Sequence, residues 1–266
     1  MPPGPDAYLL DLDGTVYVGT EPVPGAADAL GRLRRRGVPF RFVTNTTSRP
    51  RAELADRLRG FGIAATSDEI HTPVVAAATL LAEHGCRTVA PFSPLLSLAD
   101  LGDMTLVGGV SGRSCPARPD AVLLGDLGER WTYALMQEAF EYLLGGAKLV
   151  ALTRDRYFQG PYGLALDAGP FVRGLEYAVG RDAILVGKPS ASFFRAAAEG
   201  LGGPRSVAMV GDDLWSDISG AQQSGLAGWL VRTGKFRADA LRDSGIVPDR
   251  ILDSVADLAA PVGIAT

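Results

Sequence analysis

Apolar residues along this chain come in short bursts separated by longer amphipathic stretches. "YLLDLDG" (residues 8–14) places Tyr8, Leu9, Leu10 and Leu12 in one run that stops at Gly14, the pattern of a short buried strand. "PGAADALGRLRRRG" then sets Ala26, Ala27, Leu30 and Leu33 at helical spacing, with Pro24 in the first turn and Gly37 as a stop, and predicts a helix. "VPFRFVTN" predicts a second strand ending in Thr44 and Asn45. "RPRAELADRLRGFG" predicts a second helix closing at Gly60 or Gly62. Strand and helix alternate, which implies parallel strands joined by helical crossovers.

The far end of the chain repeats the habit. "DAILVGK" predicts a strand running to Gly187 and Lys188, "SASFFRAAAEGLG" a helix, and "SVAMVGDD" a strand ending in Asp212 and Asp213. "DISGAQQSG" begins a further helix and "AGWLVRTG" a further strand. The two terminal thirds therefore read as one doubly wound parallel α/β sheet. The middle carries its own strands ("TVAPF", "MTLVGGV", "DAVLLGDL", "KLVALT") and helices ("WTYALMQEAFEYLLGG", "FVRGLEYAVG"), with a loop at "SGRSCPARPD". The expected organisation is a discontinuous core, residues 1–72 and 182–266, interrupted by a smaller inserted α/β domain, residues 73–181.

Composition narrows the class of protein. The formal net charge is −4, and "RLRRRG" is the one dense basic run, at a predicted helix end where cations suit the dipole. Neither a nucleic-acid partner nor an anionic membrane is expected. Cys86 and Cys115 have no CxxC spacing, and no secretory leader or apolar run of membrane-spanning length stands in the sequence. A reduced, cytoplasmic setting is the expectation. His71 and His84 belong to no motif.

The chemistry gathers at the predicted strand ends: Asp11 with Asp13, Thr44 with Asn45, Lys188, and Asp212 with Asp217 just beyond. In a parallel sheet these ends open on one edge, where ligands bind. Two carboxylates spaced by one residue after a buried strand repel each other, and burying both is costly unless a cation or proton neutralises them. Several carboxylates attract a hard cation such as Mg²⁺, which favours a few carboxylates, retained waters and a phosphate oxygen. Lys188 suits a second phosphate oxygen, Thr44 and Asn45 can donate to the others, and Gly14 lets the backbone turn so that its amides face an anion. Residue chemistry thus points to a phosphate and cation site suited to phosphoryl transfer, without naming a nucleophile.

"DLDGT", "VTN", "GK" and "GDD…D", in that order, resemble the four motifs of the haloacid dehalogenase (HAD) superfamily of phosphatases. The insert between the second and third motifs resembles the α/β cap of its class II members. "VPGA", "FVTNTTSRP", "YGLALDAGPFVRGLEYAVG" and "VGKPS" are similar, more narrowly, to the subgroup of NagD-type and pyrophosphate or phosphoamino-acid phosphatases. The resemblance implies a Rossmann-like core with a cap. It implies Asp11 as nucleophile, Asp13 as the acid that protonates the leaving group and then deprotonates water, and phosphate binding by Gly14, Thr44, Asn45 and Lys188. It implies Mg²⁺ on Asp11, the Asp13 main-chain carbonyl and Asp212, with Asp217 acting through metal-bound water or as a ligand, a substrate loop near Gly163 to Phe171, a small phosphorylated substrate, and pairing of two copies through the cap.

Blander readings stand beside these. Aspartates after a strand are common turn residues, Lys188 before a proline can be a surface lysine, and Asp213 reads as a helix cap. A low-turnover phosphate-binding module, or a phosphotransferase on the same fold, is the competing functional class. Asp13 argues for turnover, because a module that merely accepts phosphate has no use for a second acid.

Overall fold

The computed structural model describes residues 4–114, 118–160 and 163–259. Cys115, with part of the predicted loop around it, lies outside them. The chain begins with β1 (Ala7–Asp11), β2 (Tyr17–Val18), β3 (Glu21–Pro22), β4 (Phe40–Val43) and β5 (Ile70–His71), with α1 (Ala26–Arg35) and α2 (Arg51–Gly60) between them. It continues through β6 (Thr88–Phe92), β7 (Thr105–Leu106), β8 (Ala121–Leu124), β9 (Lys148–Ala151), β10 (Tyr157–Gly160), β11 (Gly163–Leu166) and β12 (Ile184–Leu185), with α3 (Pro73–Glu83), α4 (Tyr133–Leu144) and α5 (Gly169–Val179). It closes with β13 (Val207–Gly211), β14 (Ala227–Val231) and β15 (Arg250–Leu252), and with α6 (Ala191–Glu199), α7 (Gly220–Gln223) and α8 (Ala238–Ser244). No helix among the described residues is long and apolar enough to cross a membrane.

Two compact units result. The first comprises residues 1–44, 51–71 and 188–266. Its six-stranded sheet runs β15-β14-β13-β1-β4-β5, parallel throughout. Both faces are covered, so its strands are nearly continuous apolar runs rather than alternating ones. Leu10, Phe42, Val210 and Val231 pack with Leu30 and Leu33 of α1 and Leu54 and Leu58 of α2. Leu230 packs on the opposite side with Leu214 and Ile218.

The second unit comprises residues 45–50 and 72–187, with a five-stranded parallel sheet ordered β12-β9-β8-β6-β7. Alternate strand residues again serve two faces. Phe92, Val122, Leu124 and Ala151 pack with residues of α4 and α5, whereas Val89, Leu123 and Val150 pack with Val74, Ala77 and Leu81 of α3. Helix α3 starts where Thr72 caps it, its hydroxyl accepting from the Val75 amide at 3.4 Å, with Pro73 in the first turn.

Three boundaries differ from the sequence expectation. "DAILVGK" predicted a strand of the core, but Ile184 and Leu185 pair with Val150 and Ala151, so residues 182–187 belong to the second unit. Residues 45–50 join that unit too. The Thr47 hydroxyl accepts from the Asp126 amide at 3.3 Å, and the Asn45 amide group donates to Asp155 at 3.2 Å. The segment Gly163 to Phe171, expected as a loop, is β11 followed by the first turn of α5.

Candidate active site

Asp11 is the last residue of β1, and Asp212 follows the last residue of β13. These strands are parallel neighbours, so their carboxyl ends bring both aspartates to one edge. From β1 the chain builds outwards through β4 and β5, and later through β13, β14 and β15 in the other direction. The aspartates therefore stand at the point where strand order reverses, the place where open α/β sheets bind ligands.

Lys188 completes the group. Its Nζ donates to Asp11 Oδ1 at 2.5 Å and to Asp217 Oδ1 at 2.7 Å, and all three side chains are buried. One oxygen from each of Asp11, Asp212 and Asp217 lies within 4.8 Å of the others. Asp217 is delivered by a single wide turn, Leu214–Ser219, with π-type spacing. Asp213 caps that turn, accepting from the Trp215 and Ser216 amides at 2.9 and 3.0 Å, while its own amide donates to Asp217 Oδ2 at 3.1 Å. "DISGAQQSG" thus begins as this turn and becomes regular helix at Gly220.

Three buried carboxylates crowd around the Lys188 ammonium, and burial first, with their mutual repulsion second, shows in their protonation. Burial pushes Asp11 well above the usual carboxylate range; Lys188 opposes the rise, and Asp217 and Asp212 add to it. Burial, helped by repulsion from Asp217, pushes Asp212 up to about 7. Asp217 is raised mainly by burial. For Lys188, burial works against the charge, but Asp11 and Asp217 outweigh it and hold the ammonium protonated. A divalent cation among the carboxylates removes this repulsion, and an all-oxygen donor set suits a hard ion.

The turn after β1 closes tightly. The Leu12 carbonyl accepts from the amides of Thr15, Val16 and Tyr17, and the Gly14 amide donates to the Tyr17 carbonyl at 2.7 Å. Gly14 has φ 91°, and a Cβ there would run into the Asp212 carboxylate. Asp13 lies on this turn with its side chain exposed, its Oδ2 accepting from the Tyr17 hydroxyl at 3.1 Å. Thr44 is buried just past β4, its amide donating to the His71 carbonyl at 3.2 Å. The structure therefore brings Asp11, Gly14, Lys188, Asp212 and Asp217 together, with Asp13 on the adjoining turn and Thr44 at the end of the next strand. Asn45 is placed in the second unit, bonded to Asp155.

Sequence reasoning missed a further segment. After β14, the Thr233 hydroxyl donates to the Gly14 carbonyl at 2.5 Å and the Lys235 amide donates to Asp212 Oδ2 at 2.7 Å. Between them, Gly234 (φ 62°) has no room for a Cβ beside Gly14 and Asp212. "VRTG" is itself a strand end on the same sheet edge, and that rule alone could have found it.

Comparison with known proteins agrees with this geometry. Residues 8–94 match a family model described as haloacid dehalogenase-like hydrolase, and residues 185–258 one described as HAD-hydrolase-like. The haloacid dehalogenase-like hydrolase domain-containing protein 2 of Homo sapiens is 41% identical over 233 residues, 87% of this chain and 86% of that protein. The phospholysine phosphohistidine inorganic pyrophosphate phosphatase of Homo sapiens is 34% identical over 261 residues, covering 96% of this chain and 93% of its own length. A glycerol phosphate phosphatase of Mycobacterium tuberculosis, solved in complex with magnesium, superposes with a TM-score of 0.82 at 31% identity over 96% of this chain and 77% of that one.

Proposed function

Since the chain belongs to the haloacid dehalogenase-like hydrolases and is a phosphatase of that family, we propose that it hydrolyses small phosphorylated molecules with Mg²⁺ through an aspartyl-phosphate on Asp11. The observation that carries the reading is Lys188 Nζ bridging Asp11 and Asp217 in a buried site that also holds Asp212. A structural ion pair has no need of three carboxylates, and their burial is costly without a ligand cation.

Asp11, Asp212 and Asp217, with the Asp13 main-chain carbonyl, would hold the Mg²⁺, which when bound offsets negative charge on the phosphoryl oxygens. An Asp11 carboxylate oxygen attacks phosphorus. The bond from phosphorus to the leaving atom, an oxygen in an ester or pyrophosphate and a nitrogen in an N-phosphorylated amino acid, breaks, and that atom keeps the electron pair and takes a proton from the Asp13 carboxyl group. Water then gives a proton to the Asp13 carboxylate and attacks the same phosphorus. The bond to Asp11 breaks, inorganic phosphate leaves, and both aspartates return to their starting states. Lys188 orients the nucleophile and neutralises charge beside it, and Thr44 binds a phosphoryl oxygen. The second unit corresponds to the inserted cap domain of the family.

Pyrophosphate and N-phosphorylated amino acids are the favoured substrate class, on the strength of the relative named for them. A panel of phosphate esters, pyrophosphate, phospholysine and phosphohistidine, assayed with Mg²⁺ and with chelator, tests the reading. Released phosphate is expected with Mg²⁺ alone, and Asp11→Asn is expected to abolish it together with any acid-stable phosphoryl-enzyme. Undiminished turnover in Asp11→Asn overturns the mechanism.

A further inference from the structure

Tyr17 is fully buried, yet its hydroxyl is directed at the exposed carboxylate of Asp13, 3.1 Å from Oδ2. The ring is held on two sides. The Arg57 guanidinium of α2 lies 4.1 Å from its centroid, and the Phe61 ring packs at 5.7 Å. Arg57 also bonds the Gly19 carbonyl, which fixes the β2–β3 hairpin that carries Tyr17. The main chain of Tyr17 binds the same turn, its amide donating to the Leu12 carbonyl at 3.2 Å and its carbonyl accepting from Gly14. Burial, reinforced by the neighbouring Asp13, pushes the phenol upward, so it stays a neutral donor. A buried phenol needs a hydrogen-bond partner, and here that partner is the Asp13 carboxylate on the turn after β1.

We propose that Tyr17 is a positioning residue that orients the Asp13 carboxyl group and leaves the proton in transit to Oδ1, so that it sets how well the enzyme expels poor leaving groups. The inference rests on Asp13 acting as the general acid in the reading above. Two consequences follow. Holding one oxygen reduces the number of orientations from which the acid can deliver its proton, and that matters when the leaving oxygen is too basic to depart unprotonated. A nitrophenolate leaves readily, so its loss depends little on the acid.

The test compares wild type, Tyr17→Phe, Asp13→Asn and the double variant on a series of substituted phenyl phosphates, reading kcat/KM with saturating Mg²⁺. Tyr17→Phe keeps the ring and its packing, and its thermal unfolding is measured alongside. The expected losses in Tyr17→Phe are about tenfold for p-methoxyphenyl phosphate and about twofold for p-nitrophenyl phosphate, with no further loss when Asp13 is already Asn. An equal loss across the series, or an undiminished loss in the Asp13→Asn background, assigns Tyr17 a purely structural part and overturns the inference. If Asp13→Asn discriminates between leaving groups and Tyr17→Phe does not, the inference about Tyr17 fails while the acid stands. If Asp13→Asn itself shows no discrimination, the acid assignment fails and takes the inference with it.

Discussion

The Thr233 hydroxyl donates to the Gly14 carbonyl at 2.5 Å, joining the loop after β14 to the turn after β1 across the width of β13. Two residues on, the Lys235 amide holds an oxygen of Asp212. The loop thus orients both a carboxylate proposed to hold the metal and the turn beside it. Partners of metal ligands commonly contribute about ten- to a hundredfold to metal affinity. Thr233→Val is expected to weaken Mg²⁺ binding about tenfold by calorimetric titration, and Thr233→Ser to restore most of it.

Lys188 is the counter-charge for two buried aspartates. Lys188→Met leaves those carboxylates facing one another in a buried site, a loss of about 3 kcal/mol when one partner of a buried pair is removed. Urea unfolding in chelator is expected to show that loss, and saturating Mg²⁺ to recover part of it.

A ligand that binds only the folded state stabilises it in proportion to the logarithm of its concentration, by about 2.7 kcal/mol at a hundred times Kd. Mg²⁺ is expected to raise the unfolding temperature of the wild type. The shift is expected to vanish in Asp212→Asn, which deletes one of the three converging oxygens.

His71 sets a pH dependence outside the site. It is buried against the Phe193 ring at 4.7 Å, and its Nε2 has no hydrogen-bond partner among the described residues. Burial, with Arg41 and Arg51 nearby, lowers its pKa from 6.5 to about 4. The unfolded chain therefore binds the extra proton first. Between those two values the unfolded state gains protons that the folded state refuses, so stability falls as pH drops. The shift corresponds to about 3 kcal/mol by pH 4. Denaturant unfolding from pH 7 to pH 4 is expected to show a shallower decline in His71→Gln than in the wild type, with the gap opening below pH 6.5.

The sheet of the first unit was legible because buried parallel strands are written as nearly continuous apolar runs: "YLL" and "VAMVG" show it, and "FRFV" carries only Arg41 as an interruption. The polar residues closing those runs were legible for the same reason, since strand order alone carries Asp11 and Asp212 to one edge. Lys188 was found for a partly wrong reason. Its preceding strand belongs to the other sheet, because an apolar run does not state its neighbour. Two-residue strands such as β5 carry too few side chains for a period. Tyr17 and Thr233 were invisible in another way, because what matters in each is one hydrogen bond to a residue whose position the sequence leaves open.

The pairing of Ala7 with Val207 has a consequence for how the protein is made. While the ribosome is still short of residue 207, one flank of β1 has no partner and stays a bare template for other strands. Residues 72–187 are contiguous and can collapse on their own meanwhile. Of the two halves of the polypeptide, the one bearing the aspartates is thus the last to close, and newborn chains that stall before β13 are the ones most in need of a chaperone.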